Sequence, residues 1–78
     1  MLFGEQLYLE RKKIGISAEK FAKKCGVSRS YITLIENGKR LPGKELIPTI
    51  AKALGIKTNV VINWYLEDMR EKFKDIVD

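Results

Sequence analysis

The chain has 78 residues and a formal net charge of +5, with one cysteine and no histidine. A chain of this length forms one small domain with a modest core; the lone cysteine excludes an internal disulfide, and without histidine no metal site is expected. No signal peptide opens the sequence, and no apolar run approaches the roughly 20 residues that cross a bilayer. We therefore expect a cytoplasmic protein with no cofactor and no membrane contact.

The charge is unevenly distributed along the chain. Residues 1–57 carry 12 basic and 5 acidic side chains, a balance of +7, whereas residues 58–78 carry 3 and 5, a balance of −2. This distribution suits a polyanionic partner for the first part of the chain. Lysine-rich helices that only keep a small protein in solution give the same pattern, so composition alone does not decide between the two.

Apolar residues recur at spacings of three and four, and glycine and proline divide the chain into five short segments. Together these features predict an all-α fold, with five helices in a single domain over residues 1–78. The first helix is predicted over about residues 2–14, with Phe3, Leu7 and Ile14 on one side.

The second and third helices are predicted to form one helix–turn–helix unit over about residues 17–37. Ser17 and Ser28 are good N-caps, because a serine hydroxyl can accept a free backbone N–H of the first turn. Gly26 and Gly38 end the two helices, since glycine readily takes the left-handed conformation found at helix C-termini.

Only Gly26 and Val27 lie between the end of the second helix at Cys25 and the N-cap Ser28, so the two helices must cross steeply. The sequence has the residues that such a crossing requires. Ala22 is the small residue at the point of closest approach, and Gly26 allows the turn. Ile32 and Ile35 point back to the core, and Val27 fills the corner. This is the spacing of a DNA-binding helix–turn–helix, although small helical domains also reach it by chance.

The fourth helix is predicted over about residues 46–54, with Pro48 in its first turn, because a proline further in would remove a hydrogen bond and clash. The fifth is the longest, over about residues 58–77. It carries an apolar stripe with heptad-like spacing, formed by Ile62, Leu66, Met69, Phe73 and Ile76.

This stripe has two interpretations: it completes the domain's own core, or it packs on a second copy of the chain. Val60, Trp64 and Tyr65 add apolar surface off the stripe, which is more than one buried face requires. We therefore favour a C-terminal dimerisation helix and a homodimer.

The segment "GISAEKFAKKCGVSRSYITLIENGKRLP", followed by "IAKALGI", resembles the Cro and lambda-repressor-like (XRE-type) helix–turn–helix family. That family includes phage repressors, small bacterial regulators and the controller proteins of restriction–modification systems. The resemblance covers about residues 3–62, and its most specific parts are "VSRSYI", "IENGKR" and "AKALG". It implies a five-helix DNA-binding domain, here with an extended C-terminal helix, and a bacterial, phage or plasmid origin.

By this resemblance, the N-terminal half of the third helix enters the major groove. The implied base-contacting residues are Arg29, Ser30, Thr33 and Leu34. Helix geometry agrees for the first three, because they lie opposite the core-facing isoleucines. The implied phosphate-contacting residues are Ser28, Tyr31, Asn37, Lys39 and Arg40; for the tyrosine, a packing role is equally expected.

The resemblance also implies a structural ion pair between Arg11 and Glu36, which would tie the first helix to the end of the third. The sequence departs from the family in two places. Ala18 stands where relatives usually have a glutamine that touches a phosphate, and Glu10 stands where an apolar residue is more usual. The first departure removes one phosphate anchor.

These features predict a sequence-specific regulator of transcription, a repressor rather than an activator, that binds an inverted-repeat operator in double-stranded DNA as a homodimer. The alternative is a protein-interaction module, such as an antitoxin or adaptor, whose C-terminal helix binds another protein. An enzyme is not expected, because the chain has no histidine, no clustered carboxylates and its cysteine in an apolar position. No small-molecule substrate is indicated.

Overall fold

The structure, a computed structural model, describes residues 1–76 and contains five α-helices joined by short turns. They are α1 (Phe3–Lys13), α2 (Ala18–Cys25), α3 (Arg29–Glu36), α4 (Ile47–Leu54) and α5 (Thr58–Phe73), with a 3₁₀ turn over Lys44–Leu46 before α4. No strand occurs in the described residues, so the all-α prediction is confirmed. Over the same residues, no helix combines the length and the apolar character needed to pass through a bilayer.

One hydrophobic core lies between the five helices, and every helix contributes to it. The buried apolar side chains are Phe3, Leu7, Phe21, Ala22, Cys25, Ile32, Ile35, Ile47, Ile50, Ala51, Leu54, Val61 and Trp64. Burial of a large apolar side chain contributes about 1.5–3 kcal/mol, so this cluster supplies most of the stability of so small a domain. The helix–turn–helix unit rests on α1 through α3 and on α4 through α2.

The turn between α2 and α3 has the predicted form. Gly26 adopts φ +72°, in the left-handed region, and the Val27 N–H donates to the carbonyl of Ala22 at 3.0 Å. The Ser28 hydroxyl then accepts the N–H of Tyr31 at 3.1 Å and caps α3. Local capping therefore sets where α2 ends and where α3 begins.

The C-terminal end of α1 differs from the prediction. Ile14, predicted on the same side as Phe3 and Leu7, is 47% exposed and does not share their burial. The helix ends one residue earlier, and the chain then turns at Gly15, where φ is +73°. The residue that follows Leu7 on the buried side is Arg11, one turn further along α1.

α5 also differs from the prediction, both in where it ends and in which face it buries. It ends at Phe73 rather than near Val77, a residue that lies outside the described part of the chain. Its buried side chains are Val61, Trp64 and Asp68, spaced three and four residues apart. An edge-to-face contact between the rings of Phe3 and Trp64, with centroids 5.9 Å apart, holds this face against α1.

The predicted stripe on α5 therefore lies beside the buried face rather than in it. Leu66 is 55% exposed and Phe73 is 52% exposed, and Ile62 and Ile76 are exposed as well. Only Met69 of the stripe is partly buried. The interpretation in which the stripe completes the monomer core is wrong, and an apolar helix face remains in solvent.

Candidate nucleic-acid interface

The outward face of α3 brings together the four predicted base-contacting residues. Arg29, Ser30, Thr33 and Leu34 are all exposed, and together they line one shallow depression in the surface. The hydroxyl of Thr33 donates to the carbonyl of Arg29 at 3.1 Å, which leaves its oxygen free to accept. The depression thus combines one cation, two hydroxyls and one apolar side chain that is 43% exposed.

The contacts within the folded monomer do not explain the position of Arg29. Among residues 1–76, no carboxylate lies within ion-pair distance of its guanidinium. It is the first residue of α3, where the helix dipole disfavours a cation, typically by about 0.3–1 kcal/mol. An exposed cation in an unfavourable position with no acidic partner fits a role in binding better than a role in stability.

Ser28 combines a structural role with the capacity to bind a ligand. Its hydroxyl oxygen accepts the N–H of Tyr31, while the residue itself is exposed. A serine hydroxyl carries one proton besides its acceptor lone pairs, and that proton is not used by the cap. Ser28 can therefore donate to an acceptor in front of α3 without loss of the cap.

Tyr31 links α3 to the loop that follows it. Its hydroxyl oxygen accepts the backbone N–H of Gly43 at 3.4 Å, and the guanidinium carbon of Arg40 lies 4.6 Å from its ring centroid. A cation within about 6 Å of an aromatic ring face is attracted to it. The half-buried ring packs between helix and loop and holds Arg40, while no hydrogen bond within residues 1–76 uses its hydroxyl proton.

The loop after α3 begins with a tight turn that keeps Lys39 next to the helix. Gly38 adopts φ +74°, and the N–H of Lys39 donates to the carbonyl of Leu34 at 2.9 Å. Asn37, Lys39 and Arg40 are exposed, and within residues 1–76 neither cation forms an ion pair. The end of α3 is thus bordered by unneutralised positive charge.

Arg11 and Glu36 form an ion pair behind α3, away from its outward face. Nε and Nη2 of Arg11 donate to the two carboxylate oxygens of Glu36 at 2.8 and 2.9 Å, and Nη1 donates to the carbonyl of Ile16 at 2.8 Å. Each charged side chain is 9% exposed. The hydrogen bond to Glu36 raises the pKa of Arg11 above its ordinary value, because it favours the charged guanidinium. The pair joins α1 to the last residue of α3.

Sequence patterns missed the role of Gly4 in positioning α3. A Cβ at this residue would overlap the carbonyl oxygen of Ile35 and lie 2.8 Å from that of Glu36. The backbone of α1 therefore approaches the end of α3 more closely than any side chain permits. The available signal was a glycine inside a helix, where it costs roughly 0.5–1 kcal/mol relative to alanine.

Asp68 is the second residue that the sequence patterns missed. It is 3% exposed, and its Oδ2 accepts the backbone N–H of Phe3 at 2.8 Å. Its Oδ1 lies 3.2 Å from Nζ of Lys72. The carboxylate occupies the N-terminus of α1, where the helix dipole favours an anion. The only sign of this role in the sequence is that Asp68 follows Trp64 by four residues and so lies on the same face of α5.

Comparison with known proteins relates this geometry to proteins that bind DNA. A helix-turn-helix family matches residues 7–61 of the chain. Control protein C.BamHI of Bacillus amyloliquefaciens is 34% identical over 65 residues, which cover 82% of this chain and 80% of that protein. An HTH-type transcriptional regulator from each of two strains of Mycobacterium tuberculosis is 31% identical over 58 residues, which cover 74% of this chain and 41% of the regulator.

Two solved structures share the fold. The P22 c2 repressor, in complex with synthetic operator 9T, gives a TM-score of 0.73 at 30% identity, over 78% of this chain and 92% of that one. The restriction-modification controller protein C.AhdI of Aeromonas hydrophila gives a TM-score of 0.72 at 34% identity, over 76% and 89%. The family match covers more than half of the chain and agrees with the resemblance seen in the sequence. The chain belongs to the Cro and lambda-repressor-like helix–turn–helix family, whose members are DNA-binding regulators of transcription rather than enzymes.

Proposed function

We propose that this chain is a repressor that binds an inverted-repeat operator in double-stranded DNA as a homodimer. The outward face of α3 carries the proposal, because four exposed side chains with base-reading chemistry line one depression there. Family membership supports DNA as the ligand, and the P22 c2 repressor provides a similar structure in complex with a synthetic operator.

Each side chain of the depression has a distinct role in the proposed complex. Arg29 donates two hydrogen bonds to O6 and N7 of one guanine, a contact worth about 1–3 kcal/mol of discrimination. Ser30 and Thr33 bond to donors or acceptors on neighbouring base edges. Leu34 contacts a thymine methyl group, which removes its exposed apolar surface from water.

Residues at and near the ends of α3 contact the phosphates on either side of the groove in the proposed complex. Ser28 and Tyr31 donate hydroxyl protons that no hydrogen bond among residues 1–76 uses. Asn37, Lys39 and Arg40 reach the backbone from the loop beyond the helix. These contacts fix the register of α3 along the groove without reading the sequence.

The apolar stripe on α5, which is exposed to solvent in the monomer, forms the interface of the proposed homodimer. Exposed leucine, isoleucine and phenylalanine along one helix face are typical of a seam that a second helix covers. A symmetric pair presents two recognition helices, and two-fold proteins of this type read half-sites about one DNA turn (roughly 34–36 Å) apart.

Selection from a random duplex pool tests the proposal. The wild-type protein is bound to the pool, and the retained DNA is sequenced over several rounds. We expect one inverted repeat whose half-site centres are separated by about 10–10.5 base pairs. Enrichment of an isolated half-site would overturn the homodimer, and no enrichment of any sequence would overturn specific DNA recognition.

A protein-interaction module is the second candidate, and the exposed stripe on α5 is the observation that favours it. Salt dependence separates the two functions. A regulator loses affinity along a steep log–log line, with a slope of about 0.9 per phosphate contacted, and keeps a large preference for its operator. An adaptor binds DNA weakly, shows no preferred sequence, and stays monomeric by light scattering until its own partner is added.

A further inference from the structure

Asp68 is a buried charge whose placement needs an explanation beyond packing. A carboxylate that is 3% exposed is disfavoured unless its oxygens are matched, and an apolar residue at this position would continue the Val61 and Trp64 face. Its Oδ2 is matched by the N–H of Phe3, a residue 65 positions away in the chain. The carboxylate therefore ties the middle of α5 to the first residue of α1.

The next residue of α1 touches a different helix. Gly4 lies against the Ile35 and Glu36 carbonyls at the end of α3, with no space for a Cβ. Arg11, about 10 Å further along α1, binds Glu36 with two hydrogen bonds. α1 is thus attached to α3 at two separated points, and to α5 by Asp68 at its N-terminus.

We propose that Asp68 is a positioning residue for DNA recognition: through α1, it sets the orientation of α3 relative to the dimerisation helix. This inference rests on the proposed function, in which α5 forms the seam and α3 reads the half-site. The angle between α5 and α3 then determines the distance between the two recognition helices of the dimer. The property that Asp68 controls is the spacing of half-sites that the dimer accepts.

The test compares the selected operator with versions whose central spacer is one base pair longer or shorter. In the wild-type protein, each altered spacer is expected to weaken binding about tenfold, since one half-site loses contacts worth about one bidentate pair. Asp68→Ala removes the acceptor for the Phe3 N–H, so the three affinities are expected to converge to within about threefold. Asp68→Asn keeps a carbonyl acceptor at the same position and is expected to retain most of the spacing preference.

Two measurements separate positioning from simple loss of stability. Ile50→Val removes one methyl group from a fully buried residue of α4, and it should lower stability while leaving the spacing preference intact. Hydrogen exchange should show the Phe3 amide protected in the wild-type and Asp68→Asn proteins and unprotected in Asp68→Ala. All variants are assayed at a temperature where circular dichroism shows them folded.

The possible results are distinguishable. An unprotected Phe3 amide in the wild-type protein, or an Asp68→Ala variant with the wild-type spacing preference, would overturn the inference alone. A loss of spacing preference in Ile50→Val would overturn it too, because stability would then explain the effect. Failure of the wild-type protein to prefer any duplex sequence would overturn the proposed function and the inference together.

Discussion

Arg11 and Glu36 lie 25 residues apart in the chain and form a two-point ion pair that joins α1 to the end of α3, the proposed recognition helix. Truncation of either side chain leaves the other charge without its partner, in a site where both side chains are only 9% exposed. We expect Arg11→Ala to lower the free energy of unfolding by about 3 kcal/mol, measured by urea denaturation. Lys74→Ala is the matched control, because it removes an exposed ion pair with Glu71 and should cost less than about 1 kcal/mol. Equal losses would contradict a special role for the buried pair.

Gly4→Ala tests the close approach of α1 and α3. Alanine is the better helix former by about 0.8–1 kcal/mol, so helix propensity alone predicts a gain in stability. The added Cβ would overlap the Ile35 carbonyl, and we expect a net loss of about 1–3 kcal/mol in thermal or urea unfolding. At Gly43 the same change meets only the end of the exposed Glu45 side chain, so Gly43→Ala should be close to neutral. A more stable Gly4→Ala protein would show that α1 and α3 are not in close contact.

Arg29→Ala tests direct base reading. We expect affinity for the selected operator to fall by about 1–3 kcal/mol, with discrimination lost at one base pair per half-site. The measurement is a set of titrations against operators that carry each single base substitution. A uniform loss across all sequences would show that Arg29 contacts the backbone instead.

Lys39→Ala is the matched comparison for that experiment, because it removes a nearby cation assigned to a phosphate. Binding should weaken to all sequences alike, and the log–log salt slope should fall by about one for each protomer that loses its contact. Specificity should stay at the wild-type level. A change of preferred base in this variant would contradict the assignment.

Leu66→Glu tests the proposed seam on α5. The charge would be buried against a second copy, so we expect the dissociation constant of the dimer to rise by at least about tenfold in sedimentation experiments. Val60 is also exposed but lies off the stripe, so Val60→Glu should leave the dimer intact. Equal weakening by both variants would argue against the stripe as the specific contact.

Cys25 gives the fold a predictable response to alkaline pH. Burial raises the pKa of the thiol to about 11, from an ordinary value of 9.0, because the thiolate is poorly solvated in the core. The neutral thiol is favoured by folding, so its contribution to stability is complete below pH 9 and is lost as pH rises towards 11. The alkylation rate of the folded protein should therefore rise at a pH about two units higher than that of the chain unfolded in guanidinium. Coincident profiles would show that the thiol is exposed.

The helix–turn–helix unit was predictable because its signals are local. Ser17 and Ser28 cap the helices that follow them, and Gly26 turns the chain, all within a few residues of the structure they determine. The position of Pro48 in the first turn of α4 follows from steric rules in the same way. Short-range chemistry therefore predicts where most of the helices begin and end.

The contacts between distant segments were not predictable from local patterns. The apolar residues of α5 form two adjacent faces, and nothing in their spacing shows that Val61 and Trp64, rather than Leu66, are buried in the core. That choice depends on Phe3, which meets α5 only in the folded chain. Asp68 acts where α5 meets α1, and Gly4 acts where α1 meets α3, so their roles depend on tertiary structure and not on helix propensity.

The stacking of Arg40 on Tyr31 has a consequence for how the loop beyond α3 engages a ligand. The ring is itself anchored by its bond from Gly43, so the guanidinium is held near the helix before any DNA is present. Rotational freedom that a long side chain ordinarily loses on association, about 0.5–1.5 kcal/mol, is for Arg40 already lost when the chain folds. Within residues 1–76, no aromatic ring lies over the ammonium group of the neighbouring Lys39. Of two adjacent cations, one is therefore preorganised for the proposed complex with DNA, and the other would adapt to it.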